Sequence, residues 1–374
     1  MSRVFIIAGE VSGDTHAAGL MRELKSLDAA TAFAGLGGPR MREVGGNGIE
    51  NWLEDSAVLG LWEVLKHYGY FKRKMNETLA AIAQQRPDAV ILVDYPGFNL
   101  RVAKAIRKRF KGKIIYYISP QVWAWKKGRI KTMAKVLDLM ICIFPFEKPL
   151  YEKSGLRTEF PGHPMVDRSK ALRKNWQREH HLVGWFPGSR ANEVRKLFPT
   201  MLDAARAIRL AVPDVRFAVA AATEALAGEM REMAEKRGMP EAKQWIETGT
   251  VYDLMQRAEV GAVASGTATL EAACFGLPYV LVYHVNWLTY TVGKMVVRIK
   301  NLGIVNILAG RDVVRELIQH DLTADSLARE MADLLLNDER RRALVDDLSG
   351  VVATLGEGGS YARAAQIVIE CLHA

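Results

Sequence analysis

The sequence predicts an α/β protein of two doubly wound, Rossmann-like domains facing each other across a cleft. Three observations carry this. The chain has 374 residues, beyond the length at which one hydrophobic core usually stays single. Short β-rich runs alternate with helical stretches, the pattern of parallel sheets. The same plan, an apolar strand followed by a turn rich in Gly and Ser and then a helix, occurs in both halves. Such folds bind ligands at the carboxyl ends of their strands.

In the first half the strand-like runs are 4–9, 31–37, 89–94, 113–119 and 138–144. Helical stretches lie between them near 15–27, 57–85, 99–110, 126–135 and 147–154. The segment FPGHPMVDRSKALRKNWQREHH follows, with two prolines, many charges and weak periodicity, and reads as the interdomain linker. The pattern then restarts with LVGWFPGSR (182–190), VRFAVAA, QWIETG, VGAVASG and YVLVY. Helices near 325–337, 338–353 and 360–373 have no strand after them. The expected domains are therefore 1–168 and 169–353, with a final helix at about 354–374 returning to the first.

Composition narrows the class. The hydrophobic fraction of 49% and charged fraction of 25% are those of a globular domain. A net charge of +9 favours an anionic partner: nucleic acid, a phosphorylated substrate or an anionic membrane surface. Arg101 to Val136 holds twelve Lys and Arg and no acid, part of it the solvated face of a helix. Cys142, Cys274 and Cys371 are far apart, which fits neither a disulfide framework nor a zinc site and suits a reducing compartment. The apolar core of the N-terminus is too short for a signal peptide and reads as a strand. No run approaches the roughly 18 apolar residues needed to span a bilayer.

One helical stretch carries unusual apolar surface. Val58, Leu61, Trp62, Leu65 and Tyr68 form a single stripe. Tyr70 and Phe71 lie off it, and Lys72, Arg73 and Lys74 close the segment. It is either a core helix or a surface that docks on something apolar and anionic.

Several turns carry chemistry. No P-loop, GxGxxG or DxD pattern is present, so no nucleotide cofactor and no metal is expected. Pro187, Gly188, Ser189 and Arg190 end one strand, and Ser265, Gly266 and Thr267 end another; each turn precedes a helix. Small residues let the backbone approach a ligand, the helix start offers free N–H groups, and Arg190 can grip phosphate oxygens. Such residues also serve simply as helix caps. Glu271, one turn after Thr267, can reach a ribose diol. In AGEVSGD, Ser12 and Gly13 suit a helix start, while Glu10 and Asp14 add acceptors that favour sugar hydroxyls over phosphate. Asp94 ends an apolar strand in DYPGFN, where it is a general base or the cap of the helix near Asn99. SPQVWAW would stand Ser119, Gln121, Trp123 and Trp125 over the same cleft.

Taken together, AGEVSGD, GGPRM, VDYPGFN, SPQVWAW, FPFEK, GHPMVD, PGSR, SGTATLE and NILAGRDVVRELIQ resemble the lipid A disaccharide synthase family, in its order, from residue 8 to about 319. The resemblance implies the GT-B glycosyltransferase fold. It implies metal-independent, inverting transfer of 2,3-diacylglucosamine from UDP-2,3-diacylglucosamine to 2,3-diacylglucosamine 1-phosphate, in lipid A and lipopolysaccharide biosynthesis. It further implies a peripheral protein on the cytoplasmic face of the inner membrane, with no nucleic-acid partner; a homodimer is left open. Asp94 would be the base, with Glu10 beside it as a rival. Arg190 and the two Gly-Ser turns would hold the diphosphate and Glu271 the ribose. Ser12, Asn99, Ser119, Gln121 and Asn306 are carried over as cleft residues. The acylated substrates favour membrane docking for Val58 to Lys74. Val305, Arg315 and Trp185-Phe186 depart from the family's pattern and put the loop around Asn306 in question. Rival readings are another UDP-N-acetylglucosamine enzyme of the same fold, either a peptidoglycan-pathway transferase or an epimerase, and a basic nucleic-acid-binding protein.

Overall fold

The computed structural model describes residues 2–53, 68–122, 128–285 and 301–374. The chain divides into two compact units, Met1–Pro164 with Gly356–Ala374, and Met165–Leu355.

The first unit is a seven-stranded parallel sheet of order β3-β2-β1-β4-β5-β6-β7. Its strands are β1 (Arg3–Ala8), β2 (Ala32–Gly37), β3 (Ile49–Asn51), β4 (Ala89–Val93), β5 (Lys113–Tyr117), β6 (Leu139–Ile141) and β7 (Thr158–Glu159). The helices are α1 (Val11–Leu27), α2 (Pro39–Gly45), α3 (Tyr68–Gln85), α4 (Pro96–Ile106), α5 (Gly128–Val136) and α6 (Glu147–Glu152). Alternation along β1 sorts its side chains. Val4, Ile6 and Ala8 join the core on one face; Phe5 and Ile7 join that on the other. Burial on both faces explains why β4 reads AVILV without a polar residue.

The second unit is a six-stranded parallel sheet of order β10-β9-β8-β11-β12-β13. It comprises β8 (Glu179–Phe186), β9 (Arg216–Ala221), β10 (Ile246–Thr248), β11 (Ala258–Ala264), β12 (Tyr279–Tyr283) and β13 (Glu316–Ile318). Its helices are α7 (Pro164–Leu172), α8 (Ala191–Ala211), α9 (Glu224–Lys236), α10 (Val251–Arg257), α11 (Thr267–Cys274), α12 (Ile304–Ala309), α13 (Ala324–Leu336) and α14 (Asp338–Ala353). Trp185 is buried and stacks on Phe217 at 5.8 Å, so this departure from the family pattern fills the core.

The last helix, α15 (Ser360–His373), packs on α1 of the first unit. Tyr361 meets His16 there at 2.9 Å, and Val368 and Cys371 join the core behind β1. The expected linker is corrected in one respect. Its middle folds as α7, because Met165, Val166 and Ser169 are buried along one side of a helix that Pro164 starts. The short strands β3, β7 and β13 were not expected, since three residues or fewer carry no readable alternation. All three cysteines are free and buried.

Candidate active site

Strand order decides where the motifs lie. In the first sheet the chain leaves β1 for β2 on one side and returns to β4 on the other. The crevice at such a switch point, beyond the carboxyl ends of the two strands, is the usual ligand position of an open α/β sheet. Glu10 follows β1 and Asp94 follows β4, so both carboxylates stand at this switch point. The second sheet repeats the arrangement: β8 lies beside β11, and PGSR and SGT follow these two strands.

Asp94 sits on strained backbone. It and Tyr95 adopt φ of 47° and 46°, a left-handed pair of non-glycine residues. Ile118, at the end of neighbouring β5, adopts φ 65°. The bend is held from three directions. Asp94 N–H donates to Tyr117 O at 3.0 Å, Tyr116 Oη donates to Asp94 O at 2.5 Å, and Asn99 Nδ2 donates to the carbonyls of Asp94 and Val93 at 2.7 and 3.1 Å. Asp94 is therefore not the cap of α4. Tyr95 occupies that position without a side-chain cap, and Pro96 supplies the helix start. Burial, reinforced by the negative charge of Glu10, pushes the Asp94 carboxyl up to about 6. Glu10 itself is exposed at the start of α1, beside Ser12 and the 69% exposed Val11. Gly9 is required here: a Cβ on it would meet the Tyr95 ring at 2.4 Å.

Four expected contacts are corrected. Asp14 does not face a sugar. Buried, it accepts the N–H groups of Gly38, Arg40 and Met41 at 2.8, 3.1 and 3.0 Å and so anchors the start of α2. This explains why GGPRM and AGEVSGD occur together. Asn99 is fully buried; it is the clamp on the Asp94 loop and does not line an open surface. Its Oδ1 has no hydrogen-bond partner among the described residues. Ser119 is also buried, its hydroxyl donating to Glu147 Oε1 at 2.8 Å and lying 2.7 Å from Tyr151 Oη. Asn306 is 2% exposed and saturated. Its Oδ1 accepts from Val313 and Val314, each at 2.8 Å, and its Nδ2 donates to Val314 O and Glu316 at 2.8 and 2.9 Å. It stitches the NILAG and DVVREL pieces into one loop, with Val305 buried and Arg315 exposed. Gly13 is buried within the first turn of α1, and Gln121 is exposed; Trp123 and Trp125 lie outside the described residues.

In the second unit, Gly188 adopts φ +105°, and a Cβ there would meet Glu193 Oε2 at 2.5 Å. Pro187 is buried, whereas Ser189 and Arg190 are exposed. Arg190 pairs with Glu193 at 3.0 Å on the surface, a weak bond that a diphosphate can replace. Ser265 is half-buried, and Gly266 and Thr267 are exposed at the start of α11. Gly266 caps the helix without a side-chain bond, leaving its first N–H groups open to a ligand. Glu271 is 9% exposed, accepts from Tyr252 Oη at 3.0 Å and lies 3.9 Å from Arg168. Burial raises its pKa, with Tyr252 and Arg168 opposing. Arg168 also covers the Tyr252 ring at 5.0 Å. Neither partner was foreseen: Arg168 lay in the expected linker, and no local pattern marks Tyr252. His180, His181 and Asp214 bring ligand atoms within 4.8 Å of one another, at the other end of β8 from PGSR.

The proposed docking helix is described only in part. Val58, Leu61, Trp62 and Leu65, and the side chain of Tyr68, lie outside the described residues. Phe71 packs half-buried against the core, and Lys72 and Arg73 are exposed. Lys74 is corrected: it is buried and paired with Glu50 and Glu77 at 2.8 and 2.9 Å, leaving no free charge for a lipid surface.

The family described as lipid-A-disaccharide synthetase matches residues 4–370. A lipid-A-disaccharide synthase from Geobacter sulfurreducens is 42% identical, over 99% of this chain and 97% of its own length. One from Geobacter metallireducens is 41% identical over the same shares. Among solved structures, MnaA from S. aureus, determined with UDP, superposes with a TM-score of 0.66 at 13% identity, covering 100% of this chain and 97% of its own. MurG from Acinetobacter baumannii gives 0.58 at 11%, covering 99% and 100%. At these identities the two structures speak for the fold alone.

Proposed function

This chain belongs to the lipid-A-disaccharide synthase family, and on that premise we propose that Asp94 takes the proton from the acceptor hydroxyl while the second unit holds the departing UDP. The enzyme is a glycosyltransferase of lipid A biosynthesis. It moves 2,3-diacylglucosamine from UDP to 2,3-diacylglucosamine 1-phosphate. The acceptor oxygen bonds to the anomeric carbon with inversion, the bond from that carbon to the diphosphate breaks, and UDP leaves with the electron pair. The β-1,6-linked disaccharide 1-phosphate is the other product.

The observation that carries the base assignment is the pair of carboxylates at the β1/β4 switch point. A base works best when its pKa lies near the working pH, and Asp94 at about 6 suits a proton acceptor better than an ordinary carboxylate. Its strained, triply held backbone fits a residue kept in position for chemistry. Ser12 and Gln121, both exposed, are proposed to meet acceptor hydroxyls. Ser189, Arg190, Ser265, Gly266 and Thr267 would neutralise the diphosphate through hydrogen bonds, helix starts and one guanidinium. Glu271, with Tyr252 holding one oxygen, would bind the ribose.

Among the described residues no helix is long and apolar enough to cross a membrane. We propose that the protein meets its acylated substrates from the cytoplasmic side, through the segment from Val58 to Arg73. Leu61→Glu with Trp62→Glu should release the protein from liposomes; unchanged co-sedimentation of the folded double variant would reject this contact.

The test of the reaction is product formation from both lipid substrates in detergent micelles, wild type beside Asp94→Ala. Turnover by the wild type and near-abolition in the folded variant supports reaction and base together. Equal turnover removes Asp94 from the role, and no turnover by the wild type rejects the substrate pair.

A further inference from the structure

The first unit holds a cavity of about 800 Å³ far from the catalytic carboxylates. Asp88, Gly112 and Lys113 line it, and these residues sit where β4 and β5 begin. Asp94 follows the end of β4, so the length of that five-residue strand, on the order of 17 Å, separates the two places. The reaction described above leaves this cavity unused.

Its walls are apolar. Ile82 from α3, Ile106 and Phe110 from α4 and its continuation, and Leu372 from α15 line the interior. Four cations also line it, Arg86, Arg109 and Lys111 exposed and Lys113 half-buried, against the single carboxylate of Asp88, so its solvent side is cationic. Asp88 is already engaged, accepting the N–H of Arg3 at 2.7 Å. Among the described residues, none of the four cations lies within ion-pair distance of a carboxylate. The charged residues of this protein otherwise pair widely: Arg107, two positions from Arg109, binds Asp138 at 2.8 Å. Three of the four cations come from the acid-free stretch Arg101 to Val136, whose charge the catalytic assignment does not use.

We propose that this cavity binds an anionic lipid, its acyl chain inside among Ile82, Ile106, Phe110 and Leu372 and its phosphate at the cationic solvent side. The volume is that of a small-molecule site. Buried acyl methylenes and unpaired guanidinium groups together select an amphiphile with a phosphate over either half alone. The inference does not depend on the roles of Asp94 or Arg190.

The experiment is calorimetric titration of the full chain with dodecyl phosphate below its micelle concentration, beside dodecyl maltoside and inorganic phosphate. Three proteins are compared: wild type, Ala105→Trp, which fills the lining, and Arg109→Glu with Lys111→Glu, which reverses the charge of the solvent side. Saturable binding of dodecyl phosphate to the wild type should weaken at least tenfold in both variants, with turnover within twofold of wild type. Dodecyl maltoside and inorganic phosphate should each bind at least tenfold more weakly than dodecyl phosphate. Unchanged affinity in the folded charge-reversed variant overturns the proposal. So does inorganic phosphate or the neutral detergent binding as well as dodecyl phosphate.

Discussion

Tyr116 Oη donates to the main-chain carbonyl of Asp94 at 2.5 Å, holding in place a residue whose own φ of 47° disfavours it. Tyr116 is fully buried, so this bond is shielded from water. Removing the hydroxyl should let the loop relax toward ordinary backbone. Tyr116→Phe is expected to lower kcat about tenfold, the equivalent of about 1.4 kcal/mol, with the donor KM nearly unchanged. Steady-state kinetics on the folded variant decides this; a KM effect alone would mean that the hydroxyl matters for binding and not for placing Asp94.

Glu10 helps to raise the Asp94 pKa through its negative charge. In Glu10→Gln that contribution disappears, and the acid limb of the kcat/KM profile should move below about 6, toward the ordinary carboxylate value. An unmoved limb with reduced activity would assign the base role to Glu10.

The raised pKa also has a stability consequence. The native state holds the Asp94 proton more tightly than the unfolded chain does. Between the unfolded value of 3.8 and about 6, stability therefore falls as pH rises, by at most about 3 kcal/mol. Asp94→Asn carries no such penalty. It should melt higher than wild type at pH 8, with the gap narrowing steadily as pH falls toward 4.5, while turnover is lost. Thermal melts of both proteins across that range test the sign; a constant gap would reject it.

Arg190 and Asn306 separate binding from architecture. Arg190 is exposed and weakly paired, so Arg190→Ala should leave stability unchanged and weaken UDP inhibition about tenfold. Asn306→Ala leaves the N–H groups of Val313 and Val314 without an acceptor. It is expected to cost about 2–4 kcal/mol of stability, seen as an earlier urea transition. A stable Asn306→Ala with a raised donor KM would return Asn306 to the ligand.

Much of this molecule is legible in the chain. Apolar runs such as AVILV and the Gly-Ser turns that follow strands depend on neighbours a few residues away, and local sequence records them. The motif set is specific enough to point to the family by itself. What the sequence left ambiguous were side chains able to face either ligand or protein. Asn99, Ser119 and Asn306 are expected in the cleft and Asp14 at sugar hydroxyls; Asp14, Asn99 and Asn306 instead hold the backbone of neighbouring loops, and Ser119 bonds the buried side chains of Glu147 and Tyr151. A buried polar group and a ligand-binding one use the same chemistry, so residue type alone does not separate them.

Strand order belongs to the tertiary structure. The sequence by itself determined that there are two parallel α/β units and which turns end their strands. Only long-range pairing, β1 with β4 and β8 with β11, brought Glu10 to Asp94 and PGSR to SGT. Those partners are about eighty residues apart in the chain, and their meeting is set by which sheet faces bury together, a choice that no local period records. The same holds for the cationic cavity, whose lining comes from α3, α4, the start of β5 and the returning α15.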